Sequence, residues 1–308
     1  MPAYASRLVL LAAALAVTLP VTADENLMGY VKGSETLPEG AWEGYQTFTQ
    51  RSDKGTQRLR NGEPWGRSGK YEAIDSVTEV EYGLTNKFTV SGGIKAMSLD
   101  TSGYLIDGYM PGDREFGMKF SGFEASMKYN FLSPALDDFG LSGYWSLDYG
   151  TIDPHSGRDK KTVSIESMLT AQKYFLEGQL IWVGNLGMEG TYAKREGVDL
   201  DPEEFEWSTD PEMELEWKLS TGASYRFAPD WFVGAEALYE TEFETEVGQE
   251  RWSVFAGPNM HYASEKWWAT LSWISQLKGG GELIDEGDDL HLIEKTKREV
   301  RLKLGYNF

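Results

Sequence analysis

The chain has 308 residues, 49 acidic against 29 basic, a formal net charge of −20 and no cysteine. Acidity on this scale argues against nucleic acid or an anionic lipid surface as the main partner, since both are bound through basic surface. Without cysteine there is neither a disulfide framework nor a thiolate zinc site. The length does not require two domains, because barrels commonly run this long as one.

Met1–Ala23 carries one positive charge (Arg7), an apolar run from Leu8 to about Val17, and small residues at its end. That pattern predicts a secretory signal peptide cleaved after Ala23. No later segment has the roughly 20 continuous apolar residues of a spanning helix, so a membrane must be crossed by strands. Residues 24–40 are expected to form a periplasmic N-terminal arm, with insertion into a lumen as the alternative.

From Trp42 onward the chain alternates between apolar and polar residues, the pattern of half-buried strands. Trp42–Gln50, Tyr71–Tyr82 and Phe88–Ser98 come first. In the next, Phe123, Ala125, Met127, Tyr129 and Phe131 oppose Glu124, Ser126, Lys128 and Asn130. Leu141–Tyr149, Val163–Lys173 and Gln179–Met188 follow. The clearest is Met213–Phe227, where Met213, Leu215, Trp217, Leu219, Ala223, Tyr225 and Phe227 share a face opposite Glu214, Glu216, Lys218 and Arg226. Trp231–Glu242, Trp252–Tyr262 and Trp267–Leu277 lead to the last strand. There Val300, Leu302, Leu304, Tyr306 and Phe308 oppose Glu299, Arg301, Lys303 and Asn307.

These make about twelve segments of roughly ten residues, the length a tilted strand needs to cross a bilayer. Short turns (82–87, 132–139, 174–178, 228–231, 263–266) alternate with long polar loops (52–69, 99–115, 150–160, 189–211, 243–250, 278–295). A soluble sandwich has no reason to sort its loops by parity. The prediction is an all-β fold: one transmembrane antiparallel β-barrel over residues 41–308, with short periplasmic turns and long extracellular loops. Aromatic residues gather beside the short turns, as an interfacial girdle would.

The terminal strand resembles the signal by which Gram-negative outer-membrane barrels are recognised for assembly, carried here by Leu302, Leu304, Tyr306 and Phe308. E-T-L-P-E-G-A-W-E at Glu35–Glu43, E-V-E-Y-G-L-T-N-K-F-T-V at Glu79–Val90 and A-G-P-N-M-H-Y at Ala256–Tyr262 resemble a family of bacterial outer-membrane barrels of unassigned function. The resemblance implies outer-membrane lipid and the barrel assembly machinery as partners. Its motifs are turns and strands, so it implies no mechanism and no cofactor.

Strand parity directs Asp75, Glu79, Glu81, Glu124, Glu166, Glu214, Glu216, Glu236, Glu240 and Glu299 inward, with Lys95, Lys128, Lys218, Arg226, Arg251, Arg301 and Lys303. The residues expected to line a lumen are Glu79, Glu124, Lys128, Glu166, Glu214, Glu216, Lys218, Arg226, Glu236, Arg301 and Lys303. Surplus carboxylate in a pore favours cations. The expected function is a narrow passive channel for small neutral or cationic solutes, hydrophobic ones included. An internal ion-pair network bracing a closed wall, in a surface receptor, adhesin or scaffold, is the alternative. Acid also concentrates in Gly197–Glu206, Glu240–Glu250 and Glu282–Asp289, read as solvated loops, with divalent-cation binding at the cell surface as the sharper alternative; no metal ligand is assigned. A hydrolase would need a serine with a histidine to take its proton. His155 and His291 fall in loops expected to be solvated, and His261 lies near a short turn.

Overall fold

The computed structural model describes residues 26–54, 57–60, 63–67, 69–102, 113–197, 209–244, 248–281, 289–292 and 294–308. The expected signal peptide lies outside the described residues, as does most of Gly197–Glu206 and Glu282–Asp289. Strands form where the sequence alternates: β1 (Trp42–Ser52), β2 (Gln57–Arg60), β3 (Glu63–Arg67), β4 (Lys70–Thr85), β5 (Phe88–Ser102), β6 (Arg114–Leu132), β7 (Gly140–Ile152), β8 (Asp159–Phe175), β9 (Leu180–Arg195), β10 (Glu212–Ala228), β11 (Trp231–Glu244), β12 (Gly248–Ala263), β13 (Trp267–Gly281) and β14 (Arg298–Asn307).

β1 and β4 to β14 close into an antiparallel barrel of twelve strands, while β2 and β3 pair separately. β14 returns to β1 in continuous register, from Glu43 opposite Asn307 to Ser52 opposite Arg298. Closure matters because hydrocarbon offers no hydrogen-bond partner to an open edge. Large apolar side chains stand exposed on the outer wall, among them Ile94 (58%), Ile165 (61%) and Leu219 (55%). An exposed apolar band of this kind is what lipid covers. At the short-turn end the outward aromatics pair across neighbouring strands: Trp42 with Tyr82 at 4.5 Å, Trp231 with Tyr262 at 4.9 Å, and Trp267 with Tyr306 at 4.6 Å between ring centroids.

Two features of the strands differ from expectation. The barrel strands run from 10 to 19 residues, and most of the excess lies at the long-loop end. In consequence Glu240–Glu250 is largely strand rather than solvated loop: Glu240, Glu242 and Glu244 belong to β11 and Glu250 to β12. Continued pairing of the two strands satisfies their backbones, and their carboxylates meet cations inside. Parity also slips in β6, where a bulge opposite Lys95 and Ala96 is taken up by Gly122 at φ 153°. A side chain there would strike the Tyr149 carbonyl oxygen. Phe120 and Phe123 consequently both face outward although they lie three residues apart.

The N-terminal segment corrects the expectation of a periplasmic arm. Residues 26–37 lie inside the barrel, with Leu27, Met28 and Val31 buried against inward-facing Ile181 and Val183. Their short apolar run has nowhere else to bury, and twelve strands leave more interior than wall side chains fill.

Phe308 donates its backbone N–H to Trp42 O at 3.0 Å, yet its ring is 80% exposed. Its side chain therefore contributes little packing to the finished wall. Phe308→Ala is expected to lower folded, heat-modifiable protein in the outer membrane several-fold while leaving refolding into detergent unchanged. Normal membrane levels would remove the assembly role from this residue.

Candidate functional site

The inserted segment enters and leaves at the short-turn end. Asn26 donates to Glu43 at 3.2 Å, and Thr36 and Glu39 bond Asn86 at 3.0 and 2.9 Å. Its apex, Tyr30–Lys32, reaches toward the middle of the barrel. Backbone without regular structure must find hydrogen bonds from the wall. Glu236 accepts from the N–H groups of Gly29, Tyr30 and Val31 at 3.3, 2.8 and 3.2 Å. Asn185 both accepts from Lys32 N (2.9 Å) and donates to Lys32 O (2.8 Å), and Gln172 accepts from Ser34 N at 2.7 Å. Arg301 donates to Gly29 O at 3.1 Å and stacks on the Tyr30 ring at 3.8 Å. Hydrogen bonds to a charged group contribute about 1.5–3 kcal/mol each, so Glu236 is the main polar anchor. Gly222 makes room for Met28, whose sulfur occupies the place a Cβ would take.

Above this plug lies a layer of ion pairs. Lys218 approaches Glu216 at 3.2 Å and Glu166 at 3.6 Å and also binds Glu189. Lys160 meets Glu214 at 2.9 Å, and Arg51 meets Asp75 at 2.6 Å. Lys95 pairs with Asp148, and Arg195 with Glu212. Two long loops fold inward to complete it. From residues 289–292 and 294–297, Lys295 bridges Glu240 (2.7 Å) and Glu216 (3.5 Å), while Arg251 binds Glu294 and, at 2.5 Å, Glu242. The loop at 153–158 is fastened by Lys54 and the Tyr71 hydroxyl, which donate to His155 O at 3.1 and 3.2 Å, and by Arg114, which donates to Gly157 O at 2.6 Å. Gly157, at φ 67°, rests on Leu99 and Phe116, part of an apolar cluster on the inner wall.

Between the plug apex and these loops are two adjoining cavities of about 440 and 350 Å³. Lys32, His155, Glu166, Lys218, Glu294 and Lys295 border both. Carboxylates outnumber cations around the larger one.

The residues expected from parity divide into groups. Glu124, Glu166, Glu214, Glu216 and Lys218 come together on the larger cavity, and Arg301 borders the smaller. Glu236 and Lys303 are taken up by the plug, Lys303 through Asn26. Glu79 accepts from Ser91 at 2.5 Å and from Tyr45, below the main cavities. Lys128 is buried beside a small space at the same level. Arg226, half-buried on the inner side of β10, joins neither cavity.

His155 and His291 correct the expectation of solvated loop histidines. Both turn inward because their loops do: His291 is 1% exposed, its backbone held by Gln276 at 2.6 and 3.0 Å. His261 is buried, its Nδ1 2.7 Å from the Thr270 hydroxyl. Strand parity could not reveal Lys32, Lys54, Asp153, His155, Glu294 or Lys295, since all lie outside strands. The only available signal was that some charges in these polar stretches sit beside aromatic or apolar residues, as in Tyr30-Val31-Lys32. At the rim, carboxylate oxygens of Glu212, Glu214 and Glu244 lie within 4.8 Å of one another. Arg195 and Lys160 already compensate two of them.

The fold is similar to that of an outer membrane channel from Pseudomonas putida F1, with a TM-score of 0.54 and 14% identity over 89% of this chain and 97% of that one. It is also similar to the β domain of the Bordetella autotransporter BrkA, with a TM-score of 0.52 and 13% identity over 88% of this chain and 100% of that one. At such identities the likeness is of fold alone, and a fold shared by a channel and an autotransporter does not choose between functions. No curated protein matches the chain. The family model that matches, over residues 20–308, is a family of unknown function, DUF6662.

The loop at 153–158 carries a pH dependence. Burial depresses the His155 imidazole well below the usual histidine range, and Lys54, Arg251, Arg51 and Lys295 repel its charged form. Burial likewise lowers Lys54 to about 7, with Asp153 opposing and Arg51 adding. Both groups hold a proton more weakly with the loop folded in than with it exposed. The inward state therefore gains stability as pH rises, between about 7 and the ordinary lysine value near 10.4 for Lys54, and up through the histidine range for His155. It loses that stability in acid. Shifting from about pH 8 to about pH 5 is expected to speed hydrogen exchange in residues 153–158, and His155→Leu to weaken the response. Exchange rates that change only as intrinsic chemistry dictates would refute this.

Proposed function

We propose that this chain, which belongs to the DUF6662 family of unknown function, is a gated outer-membrane channel for small neutral or cationic solutes. The observation that carries the reading is that the lumen holds adjoining cavities lined by charge and is obstructed, among the described residues, by chain segments that wall side chains hold from within. The plug enters and leaves at one end, so it can withdraw without breaking a single pair of the barrel wall. The charged layer above it has an excess of carboxylate around the larger cavity, which supports a preference for cations over anions. A channel for acidic sugars would need the opposite balance.

A second reading is a non-conducting barrel that presents its long loops to an external ligand. It is favoured by the cavities being covered on both sides, by the plug and by the inward loops. The ion pairs that span the lumen would then brace the wall, and removing one partner of a buried pair costs about 3–5 kcal/mol.

Planar-bilayer recording under a salt gradient separates the two. The chain without residues 1–23 is expected to show infrequent small steps. Further removal of residues 26–37 should give larger, longer-lived steps with a cation-favouring reversal potential. Glu214→Gln with Glu216→Gln in that background should move the potential toward zero. A plug-deleted barrel that inserts, keeps its heat-modifiable mobility and passes no current would favour the second reading.

A further inference from the structure

The plug's apex side chain, Lys32, is placed unlike the other lysines around the two cavities. Lys95, Lys160, Lys218, Lys295 and Arg251 each meet a carboxylate directly. The Lys32 ammonium instead lies over the face of Tyr144, 4.4 Å from the ring centroid. Tyr144 is 9% exposed, on the inner side of β7. Glu124 on β6 and Glu166 on β8 line the same cavity as Lys32 and Tyr144, and Glu79 on β4 is bonded to Ser91, which with Lys32 and Tyr144 lines the small space below. Its backbone is fixed on both sides by Asn185, so the ammonium is delivered to the ring by the chain itself. Lys32 also borders both cavities, which places this spot on the path between the covered long-loop end and the plug.

An aromatic face within a ring of carboxylates at longer range is a site for a weakly hydrated organic cation. The ring quadrupole attracts the charge, the more strongly once it is desolvated. The carboxylates supply negative potential without the close oxygen ligands that a hard metal ion requires. We propose that Tyr144, with Glu79, Glu124 and Glu166, forms a binding site for organic ammonium ions, and that Lys32 occupies it as a tethered competitor. A solute ammonium that takes the site displaces Lys32 and loosens the apex of the plug, so the site selects the solute and couples its arrival to opening. The inference rests on the lumen being reachable by solute, as the channel reading holds. Its test reads binding rather than current, so the two fail separately.

The probe is tetramethylammonium chloride, titrated calorimetrically into refolded protein in detergent at fixed ionic strength, with sodium chloride as the blank. A tethered group acts at an effective concentration of around millimolar or more. Lys32→Ala is therefore expected to bind the probe roughly tenfold more tightly than the unaltered chain, or tighter. Lys32→Met should do the same while keeping the side-chain bulk, and Lys32→Arg should stay weak. Adding Tyr144→Leu to Lys32→Ala should abolish the gain. All variants are first checked for heat-modifiable mobility. Equal affinity in Lys32→Ala and the unaltered chain would overturn the proposal, as would a gain that survives loss of Tyr144. A gain seen only on deletion of residues 26–37 would also overturn it, because emptied volume rather than a vacated cation site would then explain the binding.

Discussion

Everything in this molecule follows from the seam between β1 and β14. Once Glu43 to Ser52 pairs with Asn307 to Arg298, the sheet has no edge, and every strand can be apolar outside without leaving backbone groups unpaired in lipid. The same closure creates the opposite requirement inside. A twelve-stranded ring encloses more space than its own inward side chains fill, and polar groups facing that space need partners. The wall and the interior are two sides of one constraint.

The chain meets the interior requirement with its own non-strand segments. From the short-turn end, residues 26–37 bring backbone N–H groups to Glu236 and apolar side chains to Ile181 and Val183. From the long-loop end, residues 153–158 and 294–297 bring Asp153, Glu294 and Lys295 into a layer already dense with charge. Ion pairs such as Lys218 with Glu166, Glu189 and Glu216 are costly to desolvate and even costlier to leave half-made. A segment that supplies the missing partner is thereby held in place. The occlusion is therefore held by polar and apolar contacts together: the charged groups fix where each segment sits, and the small clusters around Leu27, Met28 and Val31 and around Leu99 and Phe116 add to its hold.

The two occlusions differ in what could release them. At the long-loop end a buried lysine fastens the loop and the half-buried His155 imidazole within it resists protonation, so acid works against closure. For the segment entering from the short-turn end, the apex is held by Glu236, Asn185 and Arg301, and its lysine rests on an aromatic ring, the contact that the proposed solute ammonium would replace. On the channel reading, separate conditions on the two sides would suit a selective pore better than a general one.

Much of the wall was legible in the sequence, and for a definite reason. Alternation with period two reports which face of a strand meets lipid, and Met213–Phe227 shows it without interruption. Loop parity and the aromatic pairs at the short-turn end are local too. The inward direction of Glu124, Glu166, Glu214, Glu216 and Lys218 follows from the same period. What parity cannot carry is any contact made by a segment without periodicity. Lys32, His155, Glu294 and Lys295 lie in such segments, and their places depend on volume and unpaired charge that exist only after the ring has closed. Strand length and the bulge at Gly122 depend likewise on neighbouring strands. The sequence alone thus determined the barrel and the faces of its strands, because those are properties of each strand by itself. Only the tertiary structure decided what fills the lumen, because an enclosed interior belongs to the closed ring and to no single segment of it.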